Sequence, residues 1–471
     1  MLTLYLPEIL YAAGLVLPGA GLLVDERGQV AGIAKQADAP EGAAVVRLAG
    51  KALLPGRANA HSHTFQRIFR GRAEGRAAGG DTFWTWREQM YRAAGFLSPD
   101  DLYDVARATF LEMLHAGITL VGEFHYLHGD PAGHAYDQPN LLAERVICAA
   151  ESVGLRICLL RTAYFRAGFE REPQLGQRRF YEQPEQYLRN LQTLAGDCAG
   201  RPRVTVGAAP HSIRAVPIRE MEAIAEYARR EGMPLHLHAS EQIGENAACV
   251  AEYGCAPVTL LAERGLLDRR TTLVHAIHLT EGEYAAVAES EATICSCPTT
   301  ERNLGDGIFP ADTAARLGVH LAFGTDSQAQ IDPFEDARQV EYHLRLRDQQ
   351  RGILDGSARE GWATREAMGP ALLRAATSNG YRALGLPGGT LSVGEPADFL
   401  TIDLDDLSIL GVDAESLAAQ AVFALAKSAV RDVAVQGRLV LRDCQHAESE
   451  SIRARYLAVQ RRFQRSQGES H

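Results

Sequence analysis

The stretch "LLPGRANAHSH" (Leu53–His63) decides the fold. An apolar run meets a Pro-Gly break, and a second short run ends in two histidines one residue apart. Extended backbone sends alternate side chains to the same side, so His61 and His63 project together from the end of a strand. Further along, "PLHLHAS" repeats the pattern with His236 and His238, while "TTLVHA" carries His275 and "HLAFGTD" ends in Asp326.

Working outward, short β-rich runs alternate with amphipathic helical stretches from about residue 50. The strands are "ALLPGRANAH", "ITLVGEFHY", "RICLLRTAYF", "RVTVGAAPH", "PLHLHAS", "TTLVHA", "ATICSCP" and "HLAFGTD". Between them lie segments such as "DDLYDVARATFLEMLHAG" and "IREMEAIAEYARREG", closing with the glycine that helix ends prefer. Eight strand–helix units predict an α/β fold, a (β/α)8 TIM barrel over residues 55–385. Residues 1–54 and 386–445 read as short strands with Gly turns, too small for separate cores, and are expected to combine into one small β-sandwich. Residues 446–471 are expected to form a helix and tail, with "QRSQGESH" disordered. The run "GRAEGRAAGG" at 71–80 reads as a flexible loop.

The chain has 471 residues, 46% apolar and 23% charged, which suits a soluble globular protein. A net charge of −11 argues against a nucleic-acid partner, although a local arginine cluster can still bind a small anion. Eight scattered cysteines fit reduced thiols in a cytoplasmic protein. The apolar opening lacks a basic start, carries Glu8 and is broken by Pro7 and Pro18, so strands are expected there rather than a signal peptide. No run reaches the length of a membrane span.

Barrel enzymes gather their chemistry at the C-terminal ends of the strands. The polar residues there are His61 and His63; Glu123, His125 and Tyr126; His211 and Arg214; His236, His238 and Glu241; His275; and Asp326. Strands three and seven contribute little of this type. His61, His63, one histidine of strand five and Asp326 make a set suited to a borderline ion such as Zn²⁺ with one position open. His115, His128 and His278 are instead expected to be hydrogen-bonded core residues. Near the same strand ends stand Gln66, Arg87, Tyr126, His211 and Arg214. Paired arginines imply carboxylates, which guanidinium forks grip bidentately. The charges of "REQMYR" leave Arg87 and Arg92 both open.

"LLPGRANAHSH", "HLHASE", "VHA" and "GTDS" resemble the amidohydrolase superfamily, with H-x-H on strand one, H-x-x-E on strand five, His on strand six and Asp on strand eight. The resemblance implies His61, His63, His238 and Asp326 as metal ligands, and His236 outside the set. It also implies Glu241, His275 and Asp326 as the catalytic residues. Strands three and four end without the lysine that bridges two ions in binuclear members, which implies one divalent ion per subunit, zinc being expected and iron or manganese left open. "NAHSHTFQR", "DTFWTWREQMYR", "GEFHYLH", "PHSIRAV", "HLHASEQ" and "NLGDGIFP" resemble the formimidoylglutamate deiminase family within that superfamily. That likeness implies hydrolysis of N-formimino-L-glutamate to N-formyl-L-glutamate and ammonia in histidine degradation, by a homodimer. Gln66, Arg87, Tyr126, His211 and Arg214 are then the contacts of a small dicarboxylate. The alternative is another deaminase of the superfamily, acting on a nucleobase or a different amidine. Arg67, His125 and His236 receive no role.

Overall fold

The computed structural model describes residues 2–74, 83–169, 171–172, 174–357, 359–363 and 365–468. Apolar alternation at the start of the chain builds β1 (Thr3–Ala12), β2 (Leu15–Pro18), β3 (Gly21–Val24), β4 (Val30–Ala34) and β5 (Ala44–Pro55). The chain then turns at Gly56. A Cβ at this corner would lie 2.2 Å from Thr119 Oγ1, so only glycine lets the backbone pass. The stretch expected as one strand, "ALLPGRANAH", is therefore split: "ALLP" ends β5, and the barrel begins with β6 (Arg57–Ser62).

Seven more parallel strands follow: β7 (Ile118–His125), β8 (Arg156–Ala163), β9 (Val204–Pro210), β10 (Leu235–Ala239), β11 (Thr271–His275), β12 (Thr293–Ser296) and β13 (His320–Phe323). Each pairs with its predecessor in the chain, and helices fill the crossovers that parallel pairing requires. Among these are α1 (Phe83–Phe96) and α2 (Pro99–His115), the latter opened by a Ser98–Asp101 capping box. The barrel closes where β6 meets the segment after β13. Asp326 N donates to His61 O at 3.0 Å, and His63 N donates to Asp326 O at 3.0 Å. A Cβ on Gly324 would come within 2.8 Å of His61 Cβ, so this glycine permits the closing approach.

The other chain end returns as β14 (Phe399–Asp403), β15 (Val430–Val435) and β16 (Arg438–Leu441). β14 pairs antiparallel with β5, from Phe399 opposite Pro55 to Asp403 opposite Lys51, which joins the two ends in one sheet. Tyr5, Leu10, Leu22, Leu53 and Phe399 form its own apolar core. The expected pairing of barrel and terminal β domain is what the chain adopts.

The C-terminal helix runs from Ser449 to Gly468, so 464–468 of "QRSQGESH" are helical where disorder was expected. Ile452, Val459 and Phe463 are buried on one helical face, and the Phe463 ring lies 5.2 Å from Phe96. Arg455 pairs with Asp104 of α2 at 2.7 Å, so tertiary packing carries a segment whose polar composition reads as tail. Residues 469–471, and 75–80 of the "GRAEGRAAGG" loop, lie outside the described residues.

Candidate metal centre and active site

The loop after β6 is held rigidly. Glu123 of β7 accepts from Ser62 Oγ (2.6 Å), Thr64 N (2.8 Å) and Thr64 Oγ1 (2.7 Å). Gln328 donates to Ser62 Oγ at 2.8 Å from the far side of the seam. Arg67, which had no role in the sequence, grips Glu112 of α2 with three bonds of 2.6–3.1 Å and donates to the Gln328 carbonyl. It is a tie between barrel ends.

This scaffold brings His61, His63, His238 and Asp326 together, all buried, with ligand atoms within 4.8 Å of one another. That is the scale of the shell of one ion with bonds of about 2.0–2.2 Å. His63 Nδ1 faces the Phe124 carbonyl at 2.9 Å, and His238 Nδ1 faces the His211 carbonyl at 3.0 Å. A carbonyl can only accept, so each Nδ1 carries a proton, which turns each Nε2 toward the cluster as the atom that can ligate an ion. Burial, reinforced by His63 and partly offset by Asp326, brings His61 down to about 3. Burial also keeps His238 well below the usual histidine range. Three imidazoles and a carboxylate aimed at one point, with His61 Nε2 3.1 Å from His63 Nε2, are a donor set that fits a divalent cation.

Beside it stand the candidates for proton transfer. His275 Nε2 is 3.8 Å from Glu241 Oε1 and 3.8 Å from Asp326 Oδ2. Its Nδ1 lies 3.3 Å from Glu301, whose carboxylate also accepts from Cys297 N (2.7 Å) and Ser296 Oγ (2.9 Å). Burial opposes the imidazolium, but Glu241, Glu301 and Asp326 outweigh it and hold the His275 pKa well above its usual range. Four residues at these strand ends, Ser240 (φ 52°), His275 (φ 69°), Ala276 (φ 51°) and Asp326 (φ 43°), adopt the left-handed conformation. Each costs about 1–2 kcal/mol for a non-glycine residue, and such strain collects where side chains must be aimed.

A cleft opens over this centre. Gln66, Arg87, Tyr126, His211 and Arg214 all line it, together with Glu241, His275, His63, His238 and Asp326; His61 is fully buried. Arg92 is exposed, so of the two open arginines Arg87 is the one in the cleft. Arg214 Nε is buried without a hydrogen-bond partner. Burial and the Arg214 charge push His211 well below its usual range, which keeps that ring neutral.

The sequence profile of the amidohydrolase family matches residues 52–440. The chain belongs to the amidohydrolase family. It is 41% identical to the formimidoylglutamate deiminase of Pseudomonas aeruginosa over 86% of this chain and 88% of that protein. A 5-methylthioadenosine/S-adenosylhomocysteine deaminase of Shouchella clausii is 29% identical over 87% of this chain and 85% of its own. Among solved structures, an amidohydrolase from Brucella melitensis superposes with a TM-score of 0.88 at 30% identity, covering 98% of this chain and 99% of that one.

In this amidohydrolase the expectation that strands three and seven contribute little is overturned. Tyr164 follows β8 into the cleft, and Glu301 sits in the helix Pro298–Leu304 after β12. Neither carries a local motif; only the convergence of loops reveals them. His236 bonds the Ala383 carbonyl at 2.7 Å, and His238 is the strand-five residue of the cluster. His128 is buried and bonds the Thr162 carbonyl at 2.8 Å, as expected of a core histidine, whereas His278, which bonds the Asp306 carbonyl at 2.8 Å, and His115 are only half-buried. His125 is buried beside His128, 5.9 Å between ring centres, and outside the cluster. All eight cysteines are free thiols.

Proposed function

We propose that this amidohydrolase hydrolyses N-formimino-L-glutamate to N-formyl-L-glutamate and ammonia, a step of histidine degradation. The observation that carries the reading is the placement of two arginines, Arg87 and Arg214, in the same cleft as a buried His/His/His/Asp cluster. The 41% identity to a formimidoylglutamate deiminase supports it. A dicarboxylate bearing one amidine carbon matches that pairing: guanidinium forks for the carboxylates, and the cluster for the reacting carbon.

His61, His63, His238 and Asp326 would hold one divalent ion, zinc in this reading because imidazole with a single carboxylate suits it. When bound, the ion lowers the pKa of a water from 15.7 to about 7, so a nucleophile exists at neutral pH. The remaining work belongs to the protein. Arg87 and Arg214, with Tyr126 and His211, hold the substrate so that its amidine carbon faces the cluster. Gln66 donates to Tyr126 at 2.9 Å and keeps its buried Oε1 unpartnered, an acceptor for an amidine N–H. Glu241 takes a proton from the attacking water and delivers it to the terminal nitrogen of the neutral amidine. The water oxygen bonds to the carbon and the C=N π pair moves onto nitrogen. Asp326 accepts the second water proton, His275 holds the new C–O oxygen, and this proton then reaches the same nitrogen. The C–N bond breaks, the oxygen becomes the formyl carbonyl, and ammonia leaves. Two protons leave the water and two arrive on nitrogen.

Among the described residues no helix is long and apolar enough to cross a membrane. The reading further takes the enzyme to be cytoplasmic and homodimeric, without nucleic-acid or membrane partners. The net charge of −11 supports the exclusion of nucleic acid, and the homodimer rests on the family resemblance. Ammonia release from purified zinc-loaded protein tests the activity, with N-formimino-L-glutamate set against adenosine, guanine, cytosine and simple formamidines. Preference for a nucleobase or nucleoside overturns it.

A further inference from the structure

Tyr164 is buried at the rim of the cleft, where its ring lies 4.8 Å from that of His211. Two hydrogen bonds reach its phenol oxygen: Arg87 Nη2 at 2.8 Å and Gln177 Nε2 at 2.8 Å. Their direction is unambiguous. A guanidinium only donates. The fully buried Gln177 spends its Oε1 accepting from Gln174 N at 3.0 Å, which turns its amide nitrogen toward Tyr164. Both lone pairs of the phenol oxygen are therefore occupied, and its own hydrogen must be donated elsewhere. Among the described residues no acceptor takes it, and the residue faces the cleft.

A buried hydroxyl without an acceptor is costly, and here the missing acceptor lies on the substrate side. We propose that Tyr164 is a substrate-contacting residue that donates its phenol hydrogen to the carboxylate held by Arg87. The pair reads the anion with one charged fork and one neutral donor. Gln177 and Arg87 together set the direction of that donor, so Tyr164 distinguishes a carboxylate, which can only accept, from an amide nitrogen, which cannot accept at all. This inference rests on the dicarboxylate reading of the same cleft.

The test compares wild type, Tyr164→Phe and Gln177→Glu on N-formimino-L-glutamate and on two truncated substrates: N-formimino-4-aminobutyrate, without the α-carboxylate, and N-formimino-L-2-aminobutyrate, without the side-chain carboxylate. Tyr164→Phe keeps the ring packing and removes only the hydroxyl. In Gln177→Glu the new carboxylate accepts the phenol hydrogen and withdraws it from the substrate. Both variants are expected to raise KM for the full substrate about 10-fold or more, since hydrogen bonds to charged groups are among the stronger ones, with kcat nearly unchanged. The penalty is expected to vanish on whichever truncated substrate lacks the Arg87-bound carboxylate, and Arg87→Met identifies that substrate independently. Equal penalties on all three substrates, or a loss confined to kcat, overturn the role of Tyr164. Wild-type turnover with Tyr164→Phe indistinguishable from it removes this inference alone; absence of wild-type turnover removes both it and the proposed function.

Discussion

The Glu301 carboxylate lies 3.3 Å from Nδ1 of His275, and the opposite nitrogen of that ring points at Glu241 and Asp326, each 3.8 Å away. Glu301 thereby helps keep His275 protonated and fixes how its ring faces the cleft, and its own oxygens are held by Cys297 N and Ser296 Oγ. It is a positioning residue acting through His275. Glu301→Gln is expected to lower kcat about 10- to 100-fold, the usual effect of losing a partner behind a functional histidine, while KM stays near the wild-type value. Steady-state ammonia assays separate the two parameters, and an ¹⁵N NMR spectrum of the His275 ring reports its protonation directly. An unchanged kcat would refute the assignment.

The Nε2 faces of His63 and His238 converge with the Asp326 carboxylate, each ring's Nδ1 being taken by a backbone carbonyl. Such a cluster of acceptors needs a cation. Dialysis against a chelator is expected to abolish activity and to lower the melting temperature, because an ion that binds only the folded state stabilises it by mass action. Elemental analysis should find close to one ion per chain in wild type and very little in His63→Ala. Full activity in verified metal-free protein would contradict the proposed centre.

Arg214 brings a buried Nε with no partner to the cleft wall. Arg214→Met keeps much of the apolar stem and removes the charge. The loss of hydrogen bonds to a substrate carboxylate, about 1.5–3 kcal/mol, should appear as a fall of about 10- to 100-fold in kcat/KM on N-formimino-L-glutamate. A neutral amidine substrate should be nearly insensitive. Equal losses on both would mean that Arg214 supports the fold rather than the substrate.

Behind the cleft, the side chain of Arg161 is fully buried on β8 and forks onto Glu182 at 2.6 and 2.9 Å. Burial would raise the Glu182 pKa, but the charges of His128 and Arg161 and the bonds from Arg161 and Asn190 outweigh it and hold it at about 2. A carboxylate in an unfolded chain titrates near 4.3. The contribution to stability is therefore complete above about pH 4.3 and disappears as the pH falls toward 2. Denaturant unfolding between pH 6 and pH 3 should show this loss in wild type and a shallower one in Glu182→Gln. At neutral pH that variant should be less stable by about 3–5 kcal/mol, since it leaves Arg161 buried without its counter-charge. Superimposable pH profiles would exclude Glu182 as the source.

Much of the centre was legible along the chain because strands carry a strict two-residue period. "HSH" and "HLH" have to project paired rings, and strand–helix alternation has to bring those ends to one mouth. What stayed hidden depended on loops. Arg87 and Arg92 are five positions apart on one helix, so residue chemistry left both open; the family resemblance pointed to Arg87, and the docking of α1 places it in the cleft and leaves Arg92 exposed. The disorder expected of "QRSQGESH" failed over 464–468 for a related reason: Ile452, Val459 and Phe463, buried just ahead of it against α1 and α2, anchor a helix that runs on into this polar stretch.

By itself, then, the sequence determined the barrel, the donor types at its mouth and the pairing of a metal cluster with arginines, because periodicity and residue chemistry are local properties. Tertiary structure alone decided that Arg67 ties the barrel seam. It also decided that Glu301 backs His275 and that Tyr164 is left with one hydrogen to give. Each of these depends on a hydrogen-bond count across residues tens of positions apart, where the identity of the partner, not of the residue, fixes the role.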